Sequence, residues 1–472
     1  MKKTKEKKGN GWALLPFLIF VAIYLGAGLI LQHQGVEMAF YQFPSVTAMF
    51  LAVLVAFAMS KGNMSERFRV FAEGAGQEDV LTMLVIYLLA GAFSAVAGEM
   101  GGLDATINLG LSHVPVQFLA AGMFLISAFM GTATGSSMGT ISAIVPIAVG
   151  VADKSGLSVP FMLGACVGGA MFGDNLSMIS DTTIAATRSQ NCEMRDKFRV
   201  NFFIALPAAL IALAIFLFLG RPDTQPAMEE LSYNLIKVLP YVLVLILALA
   251  GMNVFLVLTI GIFSAGIIGF ACHSLTVFAF AQSIWDGFTG MNEVFFLTLL
   301  CAGMSALITK NGGIVWLIDK LSHMMRGHKS AQVGIAALVS LADCATANNT
   351  VAIVLAGGIA KDISHEYKID PRRTASLLDI FACVFQGLIP YGAQLLVAAS
   401  LANQYGVALA PIQIIPHMWY CWILALFGIL SIFVPFADRA CRKNPWNFEY
   451  DCPENEVEAK KVQLQNESAD VQ

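Results

Sequence analysis

Apolar runs of roughly twenty residues recur along the chain, each long enough to cross a bilayer as a helix. They are Trp12–Leu31, Pro44–Ser60, Val80–Ala97, Val116–Val151, Pro160–Thr187, Phe202–Leu219, Ile236–Ala250, Val254–Ala271, Val294–Thr309, Gln332–Ala360, Ala375–Leu401 and Ile412–Pro435. Two of the long stretches are interrupted by small polar residues, Gly131-Thr132-Ala133-Thr134-Gly135-Ser136-Ser137-Met138-Gly139-Thr140 and Asp343-Cys344-Ala345-Thr346-Ala347-Asn348-Asn349-Thr350. Small residues also serve helix packing in membranes. A run this dense in Gly, Thr and Ser favours a broken backbone, which persists at membrane depth only where it lines a cavity or is buried in protein. A second broken stretch follows each: Gly173-Asp174-Asn175-Leu176-Ser177 with Ser180-Asp181-Thr182-Thr183, and Gln386-Gly387-Leu388-Ile389-Pro390-Tyr391-Gly392-Ala393-Gln394. Paired breaks of this kind are the pattern of ion-coupled secondary transport.

Composition narrows the class. The 472 residues are 57% hydrophobic and 13% charged, where a soluble domain carries about a quarter charged residues. The chain therefore reads as an all-α polytopic membrane protein. A net charge of −4 gives no footing for nucleic acid. The basic start Lys2-Lys3-Thr4-Lys5-Glu6-Lys7-Lys8 precedes Trp12–Leu31, which is of full spanning length and lacks a small-residue cleavage site, so it reads as the first transmembrane helix. Nine cysteines are scattered without a C-x-x-C pair and the seven histidines do not cluster, so no disulfide or metal framework is expected. With no catalytic Ser/His/Asp group either, an enzyme is not expected.

Basic residues orient the spans. A plain crossing at Val116–Val151 would put Arg188, Arg195, Lys197 and Arg199 outside, whereas a re-entrant hairpin keeps them cytoplasmic. A hairpin at Gln332–Ala360 does the same for Lys361, Lys368, Arg372 and Arg373; Arg221 is the exception. The expected layout is about ten crossings, two re-entrant hairpins and two broken helices, with both termini cytoplasmic. Short matches support a duplication: Gly91–Ala95 with Cys301–Ala306, Gly101-Gly102 with Gly312-Gly313, Ala133-Thr134 with Ala345-Thr346, and Ala165-Cys166 with Ala382-Cys383, at offsets of roughly 211 to 217 residues. Five crossings per copy invert the second. The segments are then a basic N-terminus (1–11), a first inverted repeat (12–220), a second (221–440) and a cytoplasmic tail (441–472), disordered from Glu449 on. Leu103–Leu111 and Ile314–His323 read as interfacial helices, and Glu99 and Lys310 as solvated.

Asp174 follows a mostly apolar stretch and should lie near mid-membrane, where an ionisable group is a functional candidate. A carboxylate that is neutral with a proton and charged with Na⁺ is the simplest exchanger. Asp174 also suits a cap for the half-helix that follows. The expected cation and proton ligands are Asp174, Asn175, Ser177, Asp181, Thr182, Thr134, Ser136 and Ser137, with Asp181 either a ligand or nearer the interface. Hard cations choose oxygen, and Na⁺ is placed at Asp174. The second broken helix breaks at Gly and Pro and is read as carrying no carboxylate, so the halves are not equivalent. Asp343, Thr346, Asn348, Asn349, Thr350, Gln386, Tyr391 and Gln394 form a second group, suited to an organic substrate or a second cation; Gln386 and Tyr391 can equally be packing residues.

The glycine- and threonine-rich tip, with Gly173-Asp174-Asn175-Leu176-Ser177 and Ser180-Asp181-Thr182-Thr183, resembles the NhaC family of Na⁺/H⁺ antiporters, whose first broken helix carries a "GD-x-LSP-x-SDTT" pattern. The resemblance spans roughly residues 10–440. It implies the ion transporter superfamily fold, an inverted repeat with two hairpins and two unwound helices. Asn175 stands where Lys often follows Gly-Asp, and Met178 replaces Pro. The family includes metabolite exchangers, so these departures put the substrate in question and leave the fold. The expectation is a Na⁺/H⁺ antiporter working by alternating access in the bacterial inner membrane. The alternative is a Na⁺- or H⁺-coupled carrier of an amino acid or small carboxylate. No bound cofactor is expected; the partners are Na⁺, H⁺, the lipid bilayer, a small organic solute in the alternative, and a second copy of the chain should it dimerise.

Overall fold

The protein is an all-α polytopic membrane protein. The computed structural model describes residues 9–34, 36, 42–178, 180–220, 233–250, 252–322 and 325–457. The basic start, Arg221 and residues 458–472 lie outside these. The helices of the first half are α1 (Leu15–His33), α2 (Ser45–Met59), α3 (Met64–Ala75), α4 (Glu78–Glu99), α5 (Gly102–His113), α6 (Val116–Thr134), α7 (Ser137–Ser155), α8 (Val159–Leu176), α9 (Asp181–Ser189) and α10 (Met194–Leu219). Those of the second half are α11 (Leu235–Leu249), α12 (Val254–Ala271), α13 (Val277–Gly290), α14 (Asn292–Lys310), α15 (Gly313–Ser322), α16 (His328–Thr346), α17 (Asn349–Glu366), α18 (Pro371–Gln386), α19 (Ala393–Gln404), α20 (Pro411–Ile414), α21 (Trp419–Phe433) and α22 (Arg439–Lys443).

Four consecutive helices of the first half start 212 residues before their counterparts: Val116 and His328, Ser137 and Asn349, Val159 and Pro371, Asp181 and Ala393. This register equates Ala382-Cys383 with Ala170-Met171, so the Ala165-Cys166 match is out of phase. Among the described residues six helices are long and apolar enough to cross a membrane, or seven with the bent pair Pro411–His417 and Trp419–Phe433, which turns by 57°. One of these, α6, is an arm of the first hairpin; the remaining expected crossings are α2 and α11, which have 15 residues each, and α8/α9 and α18/α19, which are divided by their breaks.

Two amphipathic helices, α3 and α13, are additions to the expected spans, and they interlock the halves. A Cβ built on Gly287 of α13 would lie 2.4 Å from the carbonyl oxygen of Gly91 on α4. A Cβ on Gly74 of α3 would lie 2.4 Å from the Ala306 side chain on α14. At the 212-residue offset Gly91 equates with Gly303 and Gly74 falls one residue from Gly287, and each half lends its short helix to the other's long one.

Two expectations need correction. The tail is ordered to Val457: β1 (Trp446–Asn447) pairs antiparallel with β2 (Cys452–Pro453), and Asp451 accepts from Lys361 and Asn191 at 2.9 Å each. Its polarity is used in contacts, which include Lys368 over the Phe448 ring. Lys310 is not simply solvated either, since it donates to Glu66 at 2.6 Å.

Candidate functional site

The first hairpin turns on two residues. Gly135 ends α6 with φ +67°, a left-handed conformation that suits glycine. Ser136 begins α7, its hydroxyl accepting from Gly139 N–H at 3.1 Å. Thr134 braces the turn by accepting from Ser136 N–H at 3.2 Å. Behind the tip, α6 meets α8 backbone to backbone. A Cβ on Gly173 would lie 2.4 to 2.6 Å from Gly131 and Thr132 backbone atoms, so this contact admits only glycine.

That approach delivers Asp174, which is 4% exposed, to the start of α7. Its Oδ1 accepts from Ser137 N–H at 3.1 Å, and the Ser137 hydroxyl reaches the same carboxylate. Asp174 therefore caps a helix of the facing hairpin and not its own following half-helix. α8 continues past Asp174 and ends at Leu176, with Ser177 and Ser180 in extended conformation before α9. Ser177 is buried and its N–H closes α8 on Gly173 O at 2.8 Å. Thr182 is buried and shares a 2.7 Å hydrogen bond with Ser180. Asp181 is exposed at the first position of α9. Asn175 is buried and turned to the other side of α8, donating to Met171 O at 3.0 Å and to the Tyr420 hydroxyl at 3.1 Å.

The second hairpin repeats the turn with different residues. Ala347 occupies the left-handed position at φ +51°, where an alanine carries strain. Asn348 caps α17 through Val351 N–H at 3.0 Å. Thr346 Oγ1 donates to Ala342 O at 2.9 Å, Asn349 Oδ1 accepts from Thr350 N–H at 2.9 Å, and Asn349 is buried. The Tyr391 hydroxyl donates to Cys344 O at 3.0 Å and its ring sits edge-on to Phe17 and Phe20, so its packing role is plain.

Register places Asp343 opposite Gly131 and Gln386 opposite Asp174. In the first half the carboxylate stands on the broken helix and faces glycine. In the second it stands on the hairpin, where Asp343 is fully buried, and faces an amide. Gln386 lies 2.9 Å from Asp343 Oδ1 and 2.6 Å from Gln394. Gln394 reaches across the repeats to Ser137 at 3.3 Å. The two groups of expected residues thus join through one buried polar chain from Asp174 to Asp343.

Beside this chain lies a cluster that the sequence reading missed. Lys197, expected in a cytoplasmic loop, is buried on α10, and its ammonium lies 2.8 Å from Asp379 on α18. It also donates to the Thr183 hydroxyl at 2.6 Å and to Asn175 O at 3.1 Å. Asn201 donates to Asp379 at 2.7 Å and to Asn175 O at 3.0 Å. The second broken helix thus does hold a carboxylate, two turns ahead of its break. Its signal in the sequence is a lone acidic residue inside the apolar stretch Ala375–Leu401.

The chain matches the model of the Na⁺/H⁺ antiporter family over residues 9–221 and 228–436. It is similar to the Na(+)/H(+) antiporter NhaC of Bacillus subtilis, 25% identical over 392 residues, covering 76% of this chain and 84% of that one. The Na(+)/H(+) antiporter NhaC of Alkalihalophilus pseudofirmus is 24% identical over 466 residues, covering 90% and 97%. The arginine/ornithine antiporter ArcD of Halobacterium salinarum is 22% identical over 475 residues, covering 92% and 93%.

Proposed function

The chain belongs to the Na⁺/H⁺ antiporter family, and on that premise we propose that it exchanges Na⁺ for H⁺ at Asp174 by alternating access. The observation that carries this is the meeting of two broken elements at a buried carboxylate, Asp174 against the hairpin residue Ser137. The carboxylate and the Ser137 hydroxyl supply oxygen to a hard cation. A proton on Asp174 removes the charge that the cation needs, so the two ligands compete. The repeats are read as inverted, the hairpins as re-entrant, the termini as cytoplasmic and the membrane as the bacterial inner membrane. The test is Na⁺-driven pH change in proteoliposomes: Asp174→Asn should abolish it in a folded, monodisperse protein. Near wild-type exchange by that variant would leave Asp174 a cap alone.

A cavity supports a second reading. About 460 Å³ opens between α3, α14 and the second hairpin, lined by Arg69, Glu73, Thr346, Asn348 and Tyr391 among others. It has the size and mixed charge for an amino acid, and the Halobacterium salinarum relative is named as an arginine/ornithine antiporter. Under this reading Asn348→Ala lowers uptake of the organic solute more than it lowers Na⁺ binding. A panel of amino acids and small carboxylates in the same proteoliposomes decides between the two.

A further inference from the structure

We propose that Gln386 and Gln394 form a two-position amide relay that transmits protonation of Asp343 to the cation site at Asp174, so that a proton bound in the second repeat expels Na⁺ from the first. This rests on the reading of Asp174 as the Na⁺ site. The side chains stand in a line: Asp343 to Gln386 at 2.9 Å, Gln386 to Gln394 at 2.6 Å, Gln394 to Ser137 at 3.3 Å, and Ser137 N–H to Asp174 at 3.1 Å. The four side chains Asp343, Gln386, Gln394 and Ser137 are all buried. Among the described residues Asp343 Oδ2 has no hydrogen-bond partner and Asp343 has no ion-pair partner.

Each amide has a donor end and an acceptor end, so the line can run in either direction but cannot be mixed. With Asp343 ionised, Gln386 donates its N–H to Asp343, and its oxygen accepts from Ala393 N–H, 3.2 Å away, and from the Gln394 amide. The Gln394 oxygen then accepts the Ser137 O–H. Both lone pairs of Ser137 Oγ are left for a cation beside Asp174. With Asp343 protonated, its O–H donates to the Gln386 oxygen. Gln386 N–H donates to Gln394 and to Ala347 O, 3.4 Å away, and Gln394 N–H donates to Ser137 Oγ. The Ser137 proton now points at the Asp174 carboxylate, where it takes the place of a cation contact. No proton travels along the amides; each rotates by half a turn.

The surrounding ionisable groups leave Asp343 as the sender. Around it stand Cys344 on its own helix, Cys301 on α14 and Tyr391 from the α18–α19 break, all neutral in their ordinary state. Asp319 and Lys320 of α15 are exposed. On α17 the ionisable residues begin at Lys361, which pairs with Asp451 at the far end. On α18, Arg372 and Arg373 pair with Asp370 and Asp438 at the far end, and Asp379 pairs with Lys197. α21 contributes Tyr420 and Cys421. Around Asp174 stand Asp379, Asp181 and Cys383.

The experiment is the Na⁺ dissociation constant of the purified full chain against pH, read calorimetrically. Two coupled carboxyls should make log Kd fall with pH at a slope of about two, and one at about one, since the slope reports protons released per cation bound. Wild type should approach the steeper slope. Gln394→Leu and Gln386→Met should each flatten it to about one while still binding Na⁺ at alkaline pH. Asp343→Asn should flatten it likewise and weaken binding by roughly tenfold, the order of one hydrogen bond to a charged group. A wild-type slope in folded Gln394→Leu, or in Gln386→Met should the first variant not fold, overturns the relay. Na⁺ binding by wild type that ignores pH, or that survives in Asp174→Asn, overturns instead the site assignment beneath it.

Discussion

Asp174 is at once a helix cap and the expected cation ligand, and substitutions separate the two roles. Asp174→Glu keeps the titratable carboxyl on a longer arm and should retain partial exchange with a shifted pH optimum in Na⁺-driven pH assays. Ser137→Ala removes one oxygen and should weaken Na⁺ binding by about tenfold, or about 1.4 kcal/mol, with a smaller effect on maximal rate. Lys197 and Asp379 make a different case. They are buried together, so removing one partner strands the other. Lys197→Met alone should destabilise the protein by roughly 3–5 kcal/mol, and Lys197→Met with Asp379→Leu should recover most of it, because a buried pair replaced by apolar side chains is often neutral. Thermal unfolding of the four proteins of that cycle in detergent tests both statements. A double variant as unstable as the single would mean that the pair has a role besides mutual neutralisation.

At the scale of elements, the two hairpin tips invite a comparison. Gly135 and Ala347 hold the same left-handed turn, and only the alanine is strained there. Ala347→Gly should stabilise the protein by about 1 kcal/mol and Gly135→Ala should destabilise it by a similar amount, measured as shifts in unfolding midpoint. The positions of these turns were legible because Gly-Ser and Asn-Asn interrupt apolar runs, and Asp174 because a carboxylate at membrane depth is rare. α3 and α13 were not, since a short amphipathic helix lacks spanning length and the closest partners of Gly74 and Gly287 stand in the other half. The Asp174–Asp343 line was hidden for the same reason: Ser137 and Gln394 are 257 residues apart, and nothing local marks their pairing. Lys197 was misplaced because its neighbours Arg195 and Arg199 are exposed and the charge pattern treats all three alike. The tail was misjudged on composition. Burial works against ionisation of Asp451, yet hydrogen bonds from Lys361 and Asn191 and the charges of Lys361 and His365 hold its carboxyl below the usual range. A carboxyl lowered on docking stabilises the docked form above its ordinary range and loses that contribution as pH falls through the lowered value. Hydrogen-exchange protection over Trp446–Val457, taken relative to the intrinsic rate at each pH, should therefore stay high through neutral pH and fall only in acid, while Asp451→Asn should lower it at neutral pH as well.

The whole molecule is two halves that trade helices, share a polar line and are joined by ion pairs, Glu66–Lys310 at the surface and Lys197–Asp379 in the interior. Its sidedness can be tested with Arg188→Cys and Ser330→Cys, both at exposed positions. Each should resist an impermeant thiol reagent outside intact cells and react in inverted vesicles. Labelling of Arg188→Cys from outside would mean that the Val116–Ser155 segment crosses once, as a plain span, and is not a re-entrant hairpin. The Lys197–Asp379 pair also bears on how the molecule is made. A ribosome delivers α10 long before α18, so the nascent chain holds a lysine destined for the interior with no counter-charge yet in existence. Until Asp379 emerges, α10 must wait near the bilayer surface or shelter against the insertion machinery. The first half is therefore an assembly intermediate that quality control can recognise by its unpaired charge. Expressed alone and ended after Gly220, it should be short-lived. Co-expressed with the second half it should persist, and Lys197→Met should lengthen its solitary lifetime in a pulse-chase measurement.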